Sequence, residues 1–166
     1  VARVGIATGM QVIAWSENLT QDKCDEVGAR LVSKAELLRQ SDFLTIHLLL
    51  SERTRGLVKA EDLIQMKRSA YIVNTSRGPI IDEAALVDAL QHEKIAGAGI
   101  DVFDVEPLPQ DHPLRHMPNV VIMPHLGYVT VENYQNWYRG TVENLRSWLD
   151  GKTINQMSAR NPMTPG

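Results

Sequence analysis

Three short segments concentrate side chains with chemistry to offer. Asn74-Thr75-Ser76-Arg77-Gly78-Pro79 sets two hydroxyls and a guanidinium beside a glycine-proline turn. An arginine there can hold a carboxylate through two parallel hydrogen bonds, a geometry lysine does not offer. The plain alternative is a surface cation next to a tight turn. Asp101-Val-Phe-Asp104-Val-Glu106-Pro107 gathers acids in one short run. Asp101 and Glu106 could accept hydrogen bonds or orient a base, or the run could be a solvated acidic turn. Carboxylates alone at this spacing suit a hard cation poorly, and nothing matches a calcium loop. Pro124-His125-Leu126-Gly127 supplies an imidazole able to exchange a proton near neutral pH, or else a histidine bonded to backbone. Taken together the three are more specific than any one. A carboxylate touching an imidazole fixes its tautomer and favours its charged form, so such a set could bind an acid and protonate it.

Other candidates carry less. His112-Pro-Leu-Arg-His116 places two histidines four apart, but Pro113 prevents the helix that would bring both onto one metal, and no metal is expected. His92 falls near the end of a helix, where it favours the dipole. Cys24 lies in the polar run Thr20 to Glu26 with no base beside it in sequence, and reads as inert.

These segments need a frame to bring them together, and the hydrophobic pattern supplies one. Apolar runs rich in β-branched residues recur at Gln11 to Trp15, Asp42 to Leu48, Tyr71 to Asn74, Ile95 to Asp101 and Val120 to Met123. They are nearly continuous, as strands buried on both faces are. Helix signals fall between them. Ser33-Lys-Ala-Glu36 forms a capping box ahead of Leu37 and Leu38. Asp82 opens a segment that puts Ala85, Leu86, Ala89 and Leu90 on one face. Ala60 to Met66 predicts a shorter helix, and Thr130 to about Leu149 a longer one. The longer one spaces Tyr134, Trp137, Tyr138, Val142, Leu145 and Trp148 as core or subunit contacts do. Strand and helix in alternation predict an α/β fold, a doubly wound parallel sheet of Rossmann-like type. Ligands of such sheets lie beyond the carboxyl ends of the strands, where all three segments fall.

Composition bounds the rest. A chain of 166 residues fits one ordinary domain. A net charge of −3 argues against a nucleic-acid partner. The stretch Phe43 to Leu50 is too short for a membrane span and contains His47. The single cysteine rules out a disulfide framework within one chain and fits a reducing, cytoplasmic compartment. No signal peptide is read at Val1-Ala2-Arg3-Val4, and the start without methionine suggests that residues upstream have been removed. Asn161 to Gly166 reads as a frayed end.

The order of these motifs resembles the NAD-binding domain of the D-isomer-specific 2-hydroxyacid dehydrogenases. The resemblance runs from Val1 to about Asp150. It rests on Val12-Ile-Ala-Trp15, His47-Leu-Leu-Leu-Ser-Glu-Arg-Thr54-Arg-Gly56-Leu, Val73-Asn-Thr-Ser-Arg77-Gly78, Gly99-Ile-Asp101-Val-Phe-Asp-Val-Glu106-Pro107 and Pro124-His125-Leu-Gly127. It implies hydride transfer between NAD and a small 2-oxo or D-2-hydroxy acid, in a homodimer. Arg77 would bind the substrate carboxylate and polarise its carbonyl, His125 would be the acid/base, and Glu106 its partner. Thr75, the Arg77 backbone, Asp101 and Gly127 would surround the nicotinamide, and Thr54 would lie in the loop past the riboses. Residues 1–150 would form a partial dinucleotide-binding domain, and 151–166 a tail returning toward a substrate domain.

Two departures bear on these expectations. The family's first strand and its G-x-G-x-x-G loop should stand just before Val1, and no such motif occurs in the sequence. Gly97-Ala-Gly99 lies inside a later strand, whereas Gly5 and Gly9 belong to the helix that would follow the loop. Without the central strand, two neighbours should show unpaired edges, and the chain alone should turn over little. At the end of the second family strand, where an acid usually binds the adenine ribose, stands Ser16, followed by Glu17. Ser16 could admit a 2′-phosphate, but Glu17 would repel one and no arginine follows. NAD is therefore expected, with NADP left open. The alternative is a module of the same fold that senses a dinucleotide or binds a protein and has lost the chemistry.

Overall fold

The computed structural model describes residues 1–156, so the tail at Asn161 to Gly166 lies outside the described residues. In chain order the elements are α1 (Ala2–Ala7), β1 (Ile13–Ala14), α2 (Gln21–Asp25), β2 (Arg30–Leu31), α3 (Lys34–Gln40) and β3 (Phe43–Ile46). There follow α4 (Ala60–Leu63), β4 (Tyr71–Asn74), α5 (Glu83–Gln91), β5 (Gly97–Ile100), β6 (Val120–Ile122) and α6 (Val131–Leu149). Single 3-10 turns stand at Gly78–Ile80 and Pro113–Arg115. All strand pairs are parallel, in the orders β1-β2 and β3-β4-β5-β6, and helices flank them: a Rossmann-like α/β fold. Among the described residues β1 pairs only with β2 and β3 only with β4, so each has one unpaired edge.

Local chemistry accounts for the helix starts. Ser33 accepts from the Glu36 N–H while Glu36 accepts from the Ser33 N–H. Asp82 caps α5 by accepting from Ala85, and Thr130 caps α6 by accepting from Asn133. Leu86, Ala89 and Leu90 of α5 then meet Ile72, Ala98 and Ile100 of the sheet in one core. Lys34 at the start of α3 donates to the Leu57 carbonyl and to buried Asp62, which also accepts from the Lys59 N–H. That ion pair ties α3 to α4.

Several expectations are corrected. The strand Arg30–Leu31 is not signalled by any long apolar run, and β1 is only Ile13–Ala14. The segment from Ala60 ends as a helix at Leu63, although Met66 is buried in the core. Gly9 lies beyond α1 with φ +86°. Burial alternates along β3, where Leu44 and Ile46 are buried but Phe43 and Thr45 are exposed. Continuous apolar sequence therefore does not mean two covered faces here; Phe43 instead stacks on Tyr71 of the next strand.

The chain divides into two compact units, Val1–His125 and the residues from Leu126 onward. In the second, Tyr134 packs against Trp137 and Tyr138, and Trp137 against Tyr128. No residue of α6 is buried, so its aromatic spacing does not mark a core.

Candidate functional site

The carboxyl ends of β4 and β5 hold the chemistry of the first unit. Asn74 ends β4 almost fully buried. Its Nδ2 donates to the Arg77 carbonyl, its Oδ1 accepts from the Ser76 N–H, and the Ser76 hydroxyl donates to the Ile46 carbonyl of β3. This knot sets the turn that presents Thr75 and Arg77, both exposed. Arg77 Nη1 donates to the Ser76 carbonyl at 2.6 Å, so its guanidinium folds back over the turn.

At the end of β5, Asp101 is buried and its N–H donates to the Asn74 carbonyl. The chain then turns through Phe103 to Glu106. Glu106 Oε1 accepts from the Phe103 N–H at 2.9 Å, and Oε2 accepts from His125 Nδ1 at 2.7 Å. Partial burial pushes the Glu106 carboxyl up, but the His125 and Phe103 hydrogen bonds and the His125 and Arg77 charges outweigh it. The result lies below the usual glutamate range. His125 carries a left-handed backbone, φ +57°. A non-glycine residue held there costs roughly 1 kcal/mol or more, a strain that clusters at functional sites.

Glu106 and His125, read from two distant segments, therefore touch in this structure, and Arg77 adds a positive charge that lowers the Glu106 carboxyl further. Others of the cofactor set do not join them. Thr54 is buried, but its hydroxyl donates to the Leu49 carbonyl and accepts from the Ser51 N–H, closing its own loop. Ser16 lies two residues past the end of β1, and Gly127 belongs to the second unit. Beside Ser16 an arginine does appear, supplied from another loop: Arg53 Nε lies 3.2 Å from Glu17. Adjacency in sequence could not reveal it. Two further features went unread, the Asn74 knot and a second imidazole–carboxylate contact between His112 and Glu83. Asn74 gave one signal, a polar residue closing an apolar strand.

The donor set can be tested against a nicotinamide dinucleotide. Asp101, a buried carboxyl at a strand end, and Thr75 suit the amide and hydroxyls of its nicotinamide half. The sequence contains no G-x-G-x-x-G to cradle its diphosphate. The residues present fit the nicotinamide end. Among the described residues no cluster of His, Cys, Asp or Glu suits a metal, and no helix is long and apolar enough to cross a membrane.

Residues 1–127 match the family model described as D-isomer specific 2-hydroxyacid dehydrogenase, NAD binding domain. A glyoxylate reductase from Aeropyrum pernix is 46% identical over 132 residues, 80% of this chain and 39% of its own length. A Ralstonia solanacearum structure assigned as a D-3-phosphoglycerate dehydrogenase oxidoreductase aligns with TM-score 0.90 at 36% identity. That alignment covers 96% of this chain and 47% of the other. A D-isomer specific 2-hydroxyacid dehydrogenase from Lactobacillus delbrueckii ssp. bulgaricus, solved in its NAD complexed form, aligns with TM-score 0.78 at 28% identity over 95% and 52%. The chain spans about half the length, or less, of these relatives.

Proposed function

This chain belongs to the D-isomer specific 2-hydroxyacid dehydrogenase family, and from that premise we propose that it carries the proton-transfer half of a 2-oxo acid reductase site. The overall reaction joins a 2-oxo acid, NADH and a proton to give a D-2-hydroxy acid and NAD. The reading is carried by one observation, the 2.7 Å contact from His125 Nδ1 to Glu106 with the Arg77 charge close by.

When bound, the reduced nicotinamide supplies the hydride that reaches the substrate's carbonyl carbon. Thr75 and Asp101 would hold that ring, with Ser16 and the loop of Thr54 toward the adenosine half; the resemblance also assigns Gly127 to the nicotinamide end. Arg77 binds the substrate carboxylate and steadies the negative charge that grows on the carbonyl oxygen. Glu106 occupies Nδ1 of His125, which leaves proton delivery to Nε2. His125 gives that proton to the alkoxide as it forms and recovers one in the reverse direction. Glu106 keeps the ring in one tautomer and one orientation. We further take the working protein to be a cytoplasmic homodimer that uses NAD, as a match to an NAD binding domain supports.

The test is His125→Ala in the full-length protein. Turnover of glyoxylate or pyruvate with NADH should fall about 100- to 10,000-fold while NADH affinity stays within a few-fold. An equal loss of both would remove the acid/base role. Absence of turnover in the unsubstituted full-length protein, with NADH still bound, would favour the sensing module.

A further inference from the structure

Glu83 and His112 lie outside the residues assigned above, yet they form the most sheltered of the three imidazole–carboxylate contacts among the described residues. Their side chains are 22% and 17% exposed, against 36% and 31% for Glu106 and His125. Glu83 is the first residue of α5, and His112 caps the 3-10 turn at Pro113–Arg115. His112 Nδ1 accepts from the Leu114 N–H, which puts the ring hydrogen on Nε2, facing Glu83 Oε1 at 3.2 Å. The other oxygen, Oε2, accepts from the Asp104 N–H at 3.2 Å. Asp104 follows Phe103, whose own N–H is bonded to Glu106. One carboxylate therefore grips the turn from the α5 side while another closes it from within. Gly78 braces the same turn from a third direction: a Cβ there would lie 2.1 Å from the Phe103 carbonyl carbon and 2.6 Å from Asp104 N.

We propose that Glu83, locked in place by His112, is a positioning residue that holds the Phe103–Glu106 turn where Glu106 reaches His125. Its importance for catalysis rests on the reading of His125 and Glu106 given above; its structural content does not. Asp104 shows the tightness of the arrangement. Partial burial, and then the negative charge of Glu83, push its carboxyl up, with Arg55 opposing. Placing an anion beside Asp104 is a cost that anchoring the adjacent N–H offsets.

The experiment follows the Glu106 carboxyl by carbon-13 NMR as pH is lowered, in the 166-residue chain. In Glu83→Ala the turn loosens, the His125 and Phe103 hydrogen bonds weaken, and the Glu106 midpoint rises toward the ordinary value of about 4.3. Direct loss of a nearby negative charge would move it the other way, so the sign separates positioning from electrostatics. Glu83→Gln keeps an acceptor for Asp104 and should leave the midpoint at or below that of the wild type. An unmoved or lowered midpoint in a folded Glu83→Ala overturns the proposal, as does a rise in Glu83→Gln equal to that in Glu83→Ala. If Glu83→Ala does not fold, His112→Asn, which retains a capping acceptor, is read by the same criteria. None of these outcomes depends on turnover, so a His125→Ala that keeps full turnover would sink the catalytic reading and leave this one standing.

Discussion

His125 is bonded through Nδ1 to Glu106 and pinned in a backbone conformation most residues avoid. The hydrogen bond depends on the turn that feeds Glu106 toward the ring, and the charge in that turn can be tested at Asp104. Its folded-state pKa is raised, first by burial and then by Glu83. A raised value means that its contribution to stability is full below the unfolded aspartate value, about 3.9, and is lost as pH climbs through the folded value. Asp104→Asn should therefore raise stability at pH 7 and do nothing near pH 3. Exposure to solvent keeps the gain small, a few tenths of a kcal/mol. Thermal melts at the two pH values check this, and a destabilised variant at pH 7 would contradict the assigned cause. Arg77, Glu106 and His125 were legible in sequence because each is a reactive side chain just past an apolar run. Glu83 and His112 were not, because a capping acid and a proline-flanked histidine, 29 residues apart, announce no contact.

At the scale of elements, the site depends on two turns packed backbone to backbone. Gly78 opens the 3-10 turn after Arg77, and the space that a side chain would need there is filled by the Phe103–Asp104 peptide. Because the obstruction is backbone, it cannot step aside as a flexible side chain would. Gly78→Ala should cost about 3 kcal/mol, the upper end of the usual penalty for overpacking, with the Arg77 and Glu106 turns pushed apart. Urea denaturation measures it, and a change under about 0.5 kcal/mol would show that the turns yield freely. Sequence indicated a turn at Gly78-Pro79 but not the reason for the glycine, since the crowding comes from a strand end 25 residues away. The longer elements were easier to read. Ser33, Asp82 and Thr130 cap helices as their side chains predict, whereas Arg30–Leu31 becomes a strand only by pairing with Ile13–Ala14.

For the whole molecule, the chemistry and the binding energy for a dinucleotide are unequally represented. The first unit joins Glu106 to His125 beyond the carboxyl edge of a parallel sheet, the place where such sheets bind ligands, with the Arg77 charge acting on Glu106. A dinucleotide owes much of its grip to backbone N–H groups around its diphosphate, and the 166 residues contain no G-x-G-x-x-G to supply them. The parallel sheet and the edge at which such sheets bind ligands were legible from alternation, but the order of the strands was not, and diphosphate affinity is set by a loop that these residues lack. The 166 residues by themselves should therefore bind NADH more weakly than about 1 mM, beyond the usual range of Michaelis constants. Trp15 ends the run through β1, next to Ser16, so energy transfer from tryptophan to NADH reports occupancy near the adenosine half. The titration needs a Trp15→Phe control, because Trp137 and Trp148 also emit. Tight binding that survives that substitution would mean the diphosphate is held by some other set of donors, and the division of labour between carboxyl-edge chemistry and glycine-loop affinity would have to be redrawn.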